Sequence, residues 1–447
     1  MATAGLPMGG GGVSRGARGA AARLGPLDSG LEALAMPPRP GGDPSRRIGA
    51  ALVGTGQRAR ECYAPAILQN SAFHLRALWS RTQASAERFN LEVAGCSLEV
   101  FYGDEGLQQL LARPDIEGYA VALPPAVQPA YVDRILAQHR HVLSEKPVAP
   151  DRETAEETLR RLEEASGEEG SVWLISDQLV HEPVFHPSQL KLQELGPVLA
   201  VEVYGVLVVE RGRGREEPGA RSDESLFLES GVQHVAVLRY ILGQITEVNC
   251  VRISGYAVGP GLGSTEVAGA AQQEAGSDAE GGFWKDALSG SLRFESGAVA
   301  AVNWQTSDSR ADERFRIVLW GAKGTVTVEL DMGAQASTAG IRRFTLVRTF
   351  HSGATSGQQA LPHAFPSLGA ERQLEAWGAA IRAFDERQRS RGSRGGAPTA
   401  ASGAKQEPAL PRDHSPLNAI VDLMVVGAML QSHGTTVQIR EKPRHER

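Results

Sequence analysis

The apolar run Ile48 to Val53 leads without a break into Gly54-Thr55-Gly56-Gln57-Arg58-Ala59, a GxGxxA pattern, and this junction restricts the fold more than any other stretch. A short aliphatic run suits a strand buried on both faces. The first glycine permits the tight turn, the second lets the backbone approach a pyrophosphate, and a small third residue lets the next helix pack close to the strand. A helix-compatible segment, Arg58 to Gln69, and a second strand-like run, Phe73 to Trp79, follow at the spacing of a βαβ unit. The pattern predicts a dinucleotide site in which Gly54, Thr55, Gly56, Gln57 and Arg58 wrap phosphates at a helix N-terminus.

The end of the second strand bears on which dinucleotide is bound. NAD sites place a carboxylate about 20 residues beyond the glycine loop, on the ribose 2'-hydroxyl. This chain has Ser80-Arg81-Thr82 there. Arg81 can fork onto a 2'-phosphate and Ser80 can donate a hydroxyl, so NADP is expected, with NAD the alternative. In the competing reading Ser80 caps the helix 83–89 and Arg81 is solvated.

The alternation continues with a helix over 107–111, a strand over 118–123 closed by Pro124-Pro125 at the crevice rim, a helix over 130–138 and a strand over 141–144. A βαβαβ series implies a parallel, doubly wound sheet. Its last strand runs into Glu145-Lys146-Pro147. Ligands of open α/β sheets bind outside the carboxyl ends of the strands, so Lys146, held against the neighbouring Glu145, is placed to reach a substrate oxygen. A solvated Glu-Lys pair is the plain alternative.

Beyond this core the composition narrows the function classes. A charged content of 22% and a net charge of -6 supply no basic field for nucleic acid. Cys62, Cys96 and Cys250 stand apart, without the spacing of a disulfide framework or a metal site. No apolar run reaches the roughly 18 residues of a membrane span; the nearest, Ala419 to Leu430, carries Asp422. Residues 1–46, rich in Gly, Ala, Pro and Arg with no acid before Asp28, are expected to be a disordered tail in a cytoplasmic protein. The same composition also permits a transit peptide to a plastid or mitochondrion, and Met36 an alternative start.

Taken together, GTGQRA after a strand, Ser-Arg after the second, a proline turn after the third and HVLSEKPVA resemble the glucose-fructose oxidoreductase and inositol dehydrogenase family, Gfo/Idh/MocA. Further likeness lies in Glu182 to Phe185, Leu238 to Gly243, Ala287 to Val302, Phe315 to Val328 and Ser415 to Ser432. The resemblance implies a Rossmann domain, 47–170, followed by an α/β domain, 171–440, on a large, mostly antiparallel sheet, one face of which often forms a dimer interface. It implies an oxidoreductase acting on a sugar, polyol or related hydroxyl-bearing small molecule. Strand-like runs at 198–209, 248–258, 289–302, 316–330 and 344–350 fit such a sheet, with turns at Gly297 and at Gly321-Ala-Lys-Gly324 and helices at 225–242 and 370–388. Inserts at 210–224 and 259–282 and a low-complexity linker at 389–413 interrupt it.

The departures from the family pattern fall on the chemistry. Family members with these motifs carry Asp-x-Gly-x-His on the helix before Leu-Arg-Tyr, and here the matching residues are Glu229-Ser-Gly-Val-Gln233. The usual Glu-Asn-x-Arg is Asp177-Gln-Leu-Val180, and a histidine often found after the third strand is Gln128. Hydride transfer is the cofactor's work, but the hydroxyl proton must be taken by the protein, and Gln cannot take it. Glu229 and Gln233 share a helix face, while His234 points about 100° away from Gln233. Lys146 is therefore the expected catalytic group, polarising the substrate oxygen and shuttling its proton, with Glu229 orienting it or accepting the proton, and His234 replacing the missing base only if the helix rotates or unwinds. Two alternatives are a dinucleotide-binding sensor or scaffold that has lost turnover, and a relative that oxidises its substrate only transiently, as in glycoside cleavage.

Overall fold

The computed structural model describes residues 47–95, 97–166, 170–208, 223–258, 283–307, 313–331, 343–352, 355–359, 362–392 and 415–439. The expected tail, the insert 259–282, and most of the insert 210–224 and of the expected linker lie outside the described residues.

The first sheet has six parallel strands: β1 (Ile48–Val53), β2 (Phe73–Ser80), β3 (Glu99–Tyr102), β4 (Gly118–Val121), β5 (His141–Ser144) and β6 (Trp173–Ile175). Their order is β3-β2-β1-β4-β5-β6, the doubly wound arrangement whose direction reverses between β1 and β4. All six residues of β1 are buried, with Ala51 and Val53 in one apolar cluster and Ile48, Ala50 and Leu52 in the other, so both faces of the sheet are covered. Strands β3 and β6 were not legible as strands. β6 has only three residues, and β3, Glu-Val-Phe-Tyr, is neither a continuous apolar run nor strictly alternating.

A helix from far along the chain completes this domain. Gly369–Gly392 lays Leu374, Trp377, Ala380 and Ile381 into the cluster of Ile48, Phe73 and Leu75, and Trp377 stacks on Phe73 with ring centroids 4.8 Å apart. Such a stack contributes about 1 kcal/mol beyond its buried area. The division at residue 170 is corrected on two counts, since β6 and this helix both pack with the Rossmann sheet. Periodicity shows that a helix needs an apolar face to pack against, and it does not say which.

The second sheet contains β7 (Val198–Val208), β8 (Ile245–Val258), β9 (Phe283–Phe294), β10 (Val299–Ser307), β11 (Arg314–Gly321), β12 (Gly324–Asp331), β13 (Arg343–Ser352), β14 (Thr355–Gln359), β15 (His363–Pro366) and β16 (Val437–Gln438). It runs β14-β13-β12-β11-β7-β10-β9-β8-β16, with β15 beside β13. Only β7 and β10 are parallel neighbours. The runs read as 289–302 and 316–330 are each two strands, folded at Gly297 and at Ala322-Lys323. Ala300, Val302 and Trp304 of β10 are buried on one face, together with Phe227, Val235 and Leu238 of the helix Asp223–Leu242 and Val425, Val426 and Met429 of the helix Pro416–Gln431. Alternate residues face the other way, and Val251, Ile253, Val299 and Trp320 are exposed there.

Candidate active site

Two corners of the molecule meet the expectations differently. At the first, Gly54 has φ +112°, and a Cβ there would lie 2.4 Å from the carbonyl oxygen of Ala122 at the end of β4. A side chain is excluded by backbone conformation and by space together. A Cβ on Gly56 would meet nothing within 4 Å, so the chain turns its bare backbone outward at the reversal point of the sheet. The helix that follows begins with a π turn, Ala59–Tyr63, and continues as Ala64–Gln69.

Thr55 Oγ1 and Ser80 Oγ are 3.1 Å apart, joining the glycine loop to the end of β2. Arg81 is exposed and, among the described residues, has no ion-pair partner. The cap of the next helix is Thr82, whose Oγ1 accepts from Ser85 N, so Ser80 is not spent on capping. Gln57 is exposed and donates to Glu61 Oε1 at 3.1 Å. Pro124 is exposed at the rim, and its carbonyl accepts from Val127 N and Gln128 N. The bare Gly56 backbone, the free guanidinium of Arg81 and the Ser80 hydroxyl fit a dinucleotide bearing a 2'-phosphate.

Arg58 departs from the expected role. Its Nε lies 3.3 Å from Glu145 Oε1, so the glycine loop is tied to the stretch after β5. Glu145, buried, also accepts from the backbone N of Lys146 at 3.1 Å and from Ser176 Oγ at 3.5 Å. Its charge holds the Arg58 guanidinium well above its ordinary pKa. Gln128 closes this corner from the other side. Its amide donates to the carbonyls of Glu145 and Pro147, at 2.8 and 3.2 Å, and accepts from Glu145 N at 3.1 Å. Three buried backbone groups find partners in one side chain, and no residue-level pattern in the sequence signals it.

The ammonium of Lys146 does not sit against Glu145, which corrects that expectation. Lys146 Nζ lies 2.8 Å from Asp177 Oδ2 and 2.8 Å from Asp422 Oδ2, with all three side chains almost wholly buried. Asp177 follows β6; Asp422 projects from the helix Pro416–Gln431. Asp422 is bound on its other oxygen by Arg239 Nη1, and Arg239 is fixed in turn by Gln244 Oε1 at 2.8 Å and by Asn418. Burial alone lowers the Lys146 pKa, but the charges of Asp177 and Asp422 more than reverse it and leave the group above its ordinary value. An ammonium held this way stays protonated.

The two aspartates that hold Lys146 also line a cavity of about 400 Å³, together with Arg239, Ala236, Tyr240 and Asn418. Glu229 and Gln233 are half-buried and lie on the helix stripe that continues through Ala236 and Tyr240. His234 does not. It stacks on Phe315 at 4.0 Å, stands edge-on to Trp304 and is buried, and burial pushes its pKa down to about 3. Its expected reserve role is corrected: one residue past Gln233, the helix has already turned it into the core. Among the described residues no group of three or more His, Cys, Asp or Glu could hold a metal ion, and no helix is long and apolar enough to cross a membrane.

Comparison with known proteins joins the geometry here. Residues 48–168 match the model of an oxidoreductase family with an NAD-binding Rossmann fold. Dehydrogenase FPY6 of Fusarium mangiferae is 28% identical over 207 residues, 44% of this chain and 58% of that protein. A dTDP-3,4-didehydro-2,6-dideoxy-alpha-D-glucose 3-reductase of Streptomyces antibioticus is 34% identical over 116 residues, 26% of this chain and 34% of the reductase. The chain thus spans 58% and 34% of the length of these two relatives. Among solved structures, an oxidoreductase from Thermotoga maritima is similar with a TM-score of 0.57 at 22% identity, covering 88% of this chain and 99% of that one. A 3-ketoreductase from Actinomadura kijaniata, solved with NADP, has a TM-score of 0.56 at 16% identity, covering 87% and 98%. At those identities the likeness is one of fold.

Proposed function

We propose that the chain is a member of the Gfo/Idh/MocA oxidoreductase family, whose NAD-binding Rossmann model its residues 48–168 match, and that it is an NADP-dependent oxidoreductase acting on a hydroxyl or carbonyl group of a sugar, polyol or related small molecule. One observation carries the proposal: the ammonium of Lys146, just beyond the carboxyl end of β5, is held by Asp177 and Asp422, and both aspartates line a cavity of about 400 Å³. The carboxyl ends of the strands are where an open α/β sheet holds its ligand. Gly54, Thr55, Gly56, Ser80 and Arg81 would hold the dinucleotide, with Gln57 and Pro124 at its rim. When bound, the nicotinamide supplies the site that accepts or gives hydride. Arg58 and Glu145 act one step back, bracing the loop against the turn that carries Lys146.

The chain's own task is to hold the substrate oxygen and move one proton. Lys146, held protonated by the two carboxylates, would donate a hydrogen bond to the substrate oxygen. Glu229 and Gln233, on the stripe through Ala236 and Tyr240, orient other hydroxyls of the substrate. The finding that a 3-ketoreductase of the same fold was solved with NADP agrees with the choice of NADP over NAD. Assays of NADPH oxidation with a panel of sugar-derived ketones and aldehydes, comparing the native protein with Lys146→Met, test the reading. Loss of turnover in the variant is expected. Equal rates would remove Lys146 from the chemistry.

We further propose that a second copy of the chain covers the open face of the large sheet. Val251, Ile253, Val299 and Trp320 share that face, between 38% and 55% exposed, while Cys250, Ala300 and Leu319 beside them in the strands are buried on the other. Apolar side chains grouped on an uncovered sheet face mark an interaction surface. Sedimentation equilibrium should give a dimer or higher oligomer, and Trp320→Glu should shift it toward monomer.

A further inference from the structure

We propose that Gln128 is a positioning residue for the reaction, setting Lys146 in the site by holding the backbone on either side of it. The inference rests on the oxidoreductase reading above. Backbone pairing with the sheet runs out just past β5, where Glu145 N reaches Val121 O at 3.1 Å and Pro147 has no N–H to extend the ladder. Lys146 therefore projects from a stretch beyond the reach of the ladder, and Gln128 takes over there. Its Nε2 donates to the carbonyls of Glu145 and Pro147, at 2.8 and 3.2 Å, and its Oε1 accepts from Glu145 N at 3.1 Å. One amide thus fixes the residues before and after Lys146. Only the orientation with its nitrogen toward the two carbonyls satisfies all three groups.

Gln128 is wholly buried and opens the helix Gln128–Leu136, where its own N–H is held at 3.0 Å by the carbonyl of Pro124 at the rim. It does not line the cavity, so it can act on a substrate there only through the turn it holds. The far end of the lysine is fixed separately, by Asp177 and Asp422 at 2.8 Å each. Gln128 anchors the root of the side chain, and the aspartates anchor its tip. Without the amide, the carbonyls of Glu145 and Pro147 would lose a buried donor, and an unsatisfied buried carbonyl costs more than the lost bond contributed. The turn is then expected to shift until water reaches those carbonyls, and Lys146 moves with it. A displacement of about 1 Å can cost about a hundredfold in rate. Gln128→Met keeps the length and packing of the side chain but offers no donor, and Gln128→Asn keeps the amide on a shorter stem.

Amine labelling of the full chain with an N-hydroxysuccinimide ester, followed by peptide mass spectrometry, gives a readout that needs no substrate. Lys323 is exposed and serves as the reference, and the thiol of Cys250, buried in β8, reports general opening through its reaction with a maleimide. In Gln128→Met, Lys146 should be labelled about tenfold faster than in the native protein, with Lys323 and Cys250 unchanged. Gln128→Asn should change in the same direction by less, and it decides the matter if circular dichroism shows the methionine variant unfolded. With a substrate from the carbonyl panel, and with sites counted by bound NADPH, kcat should fall about tenfold to a hundredfold while KM and the NADPH dissociation constant stay within about twofold. Labelling of Lys146 at the native rate overturns the proposal. So does labelling of Lys146 and Cys250 that rises together, which would mean general loosening, or a loss of NADPH affinity that matches the loss of kcat. Native protein without turnover on any substrate counts against the enzyme reading alone, because the labelling still decides whether Gln128 holds Lys146.

Discussion

The glycine-loop corner and the lysine corner lie at the carboxyl ends of β1 and β5 of one sheet, with β4 between them, yet they are built from different materials. The first is made of backbone: Gly54 in a left-handed turn, Gly56 with open space before it, and a serine and an arginine at the end of β2, all within residues 54–81. The second is made of buried charge, with Lys146, Asp177, Arg239 and Asp422 drawn from four separate stretches and neutralised against one another. Backbone geometry is fixed by local residue type, and a charge network by the tertiary fold. The first corner can therefore be altered with little cost to the rest of the protein, whereas the second carries stability and chemistry together.

The strongest way to break this comparison is Lys146→Met. It leaves the buried carboxylates of Asp177 and Asp422 without the ammonium they share, and removing one partner of a buried pair typically costs about 3 to 5 kcal/mol. Urea unfolding should show a loss of that size alongside the loss of turnover. A loss below about 1 kcal/mol would mean that the aspartates rearrange freely, and the lysine corner would then be no more rigid than the loop. A paired test sharpens the same contrast at the glycines. Gly54→Ala meets the Ala122 carbonyl and a positive φ, and should destabilise by about 1 to 3 kcal/mol. Gly56→Ala points into open space, so stability should change by less than about 0.5 kcal/mol while NADPH affinity falls.

The same division explains what could be read from the sequence. Strand β1, the GxGxxA turn, Ser80-Arg81 and the position of Lys146 at the end of β5 follow from neighbours in the chain, and each stands where the pattern put it. The partners of Lys146 did not follow, because Glu145 is adjacent in sequence while Asp177 and Asp422 are 31 and 276 residues away. Asp422 was visible only as a charge interrupting an apolar run. A buried carboxylate in such a run requires a buried cation, and that was the available signal. Gln128, which reads as a lost histidine, proved to be a clamp on three backbone groups. Glu182 is likewise a structural clamp, its carboxylate accepting from Leu368 N at 3.0 Å and from Ser367 where the Gly369–Gly392 helix begins.

His234 marks the boundary between the two kinds of information, and pH reads it out. Its pKa is lowered by burial to about 3, and those of His141 and His181 to about 4. A histidine held neutral in the fold binds its proton only on unfolding, so its contribution is fully present above pH 6.5 and is lost as pH falls through that value toward the folded pKa. Each such group tilts stability by about 1.4 kcal/mol per pH unit between roughly 6 and 4. His234→Phe, which keeps the stack on Phe315, should remove one group's share of that slope without changing turnover at pH 7.5. An unchanged slope would place the imidazole in contact with solvent and return it to the list of candidate bases.

The change expected to disturb the fold least is also the one that isolates the first corner most cleanly. Arg81 is exposed and unpaired among the described residues, so its replacement by alanine breaks no internal contact and should leave the unfolding midpoint in place. Its only proposed work is a charge-assisted bond to the 2'-phosphate, which distinguishes NADPH from NADH. Arg81→Ala should weaken NADPH about tenfold, a change of about 1.4 kcal/mol, and leave NADH unchanged. Ser80 sets the limit of that shift, because its hydroxyl is already engaged with Thr55 at 3.1 Å and offers the phosphate a weaker, uncharged contact. Equal weakening of both cofactors would show that Arg81 supports the loop as a whole. In that case the local corner would be as interdependent as the buried one, and the contrast between them would fail.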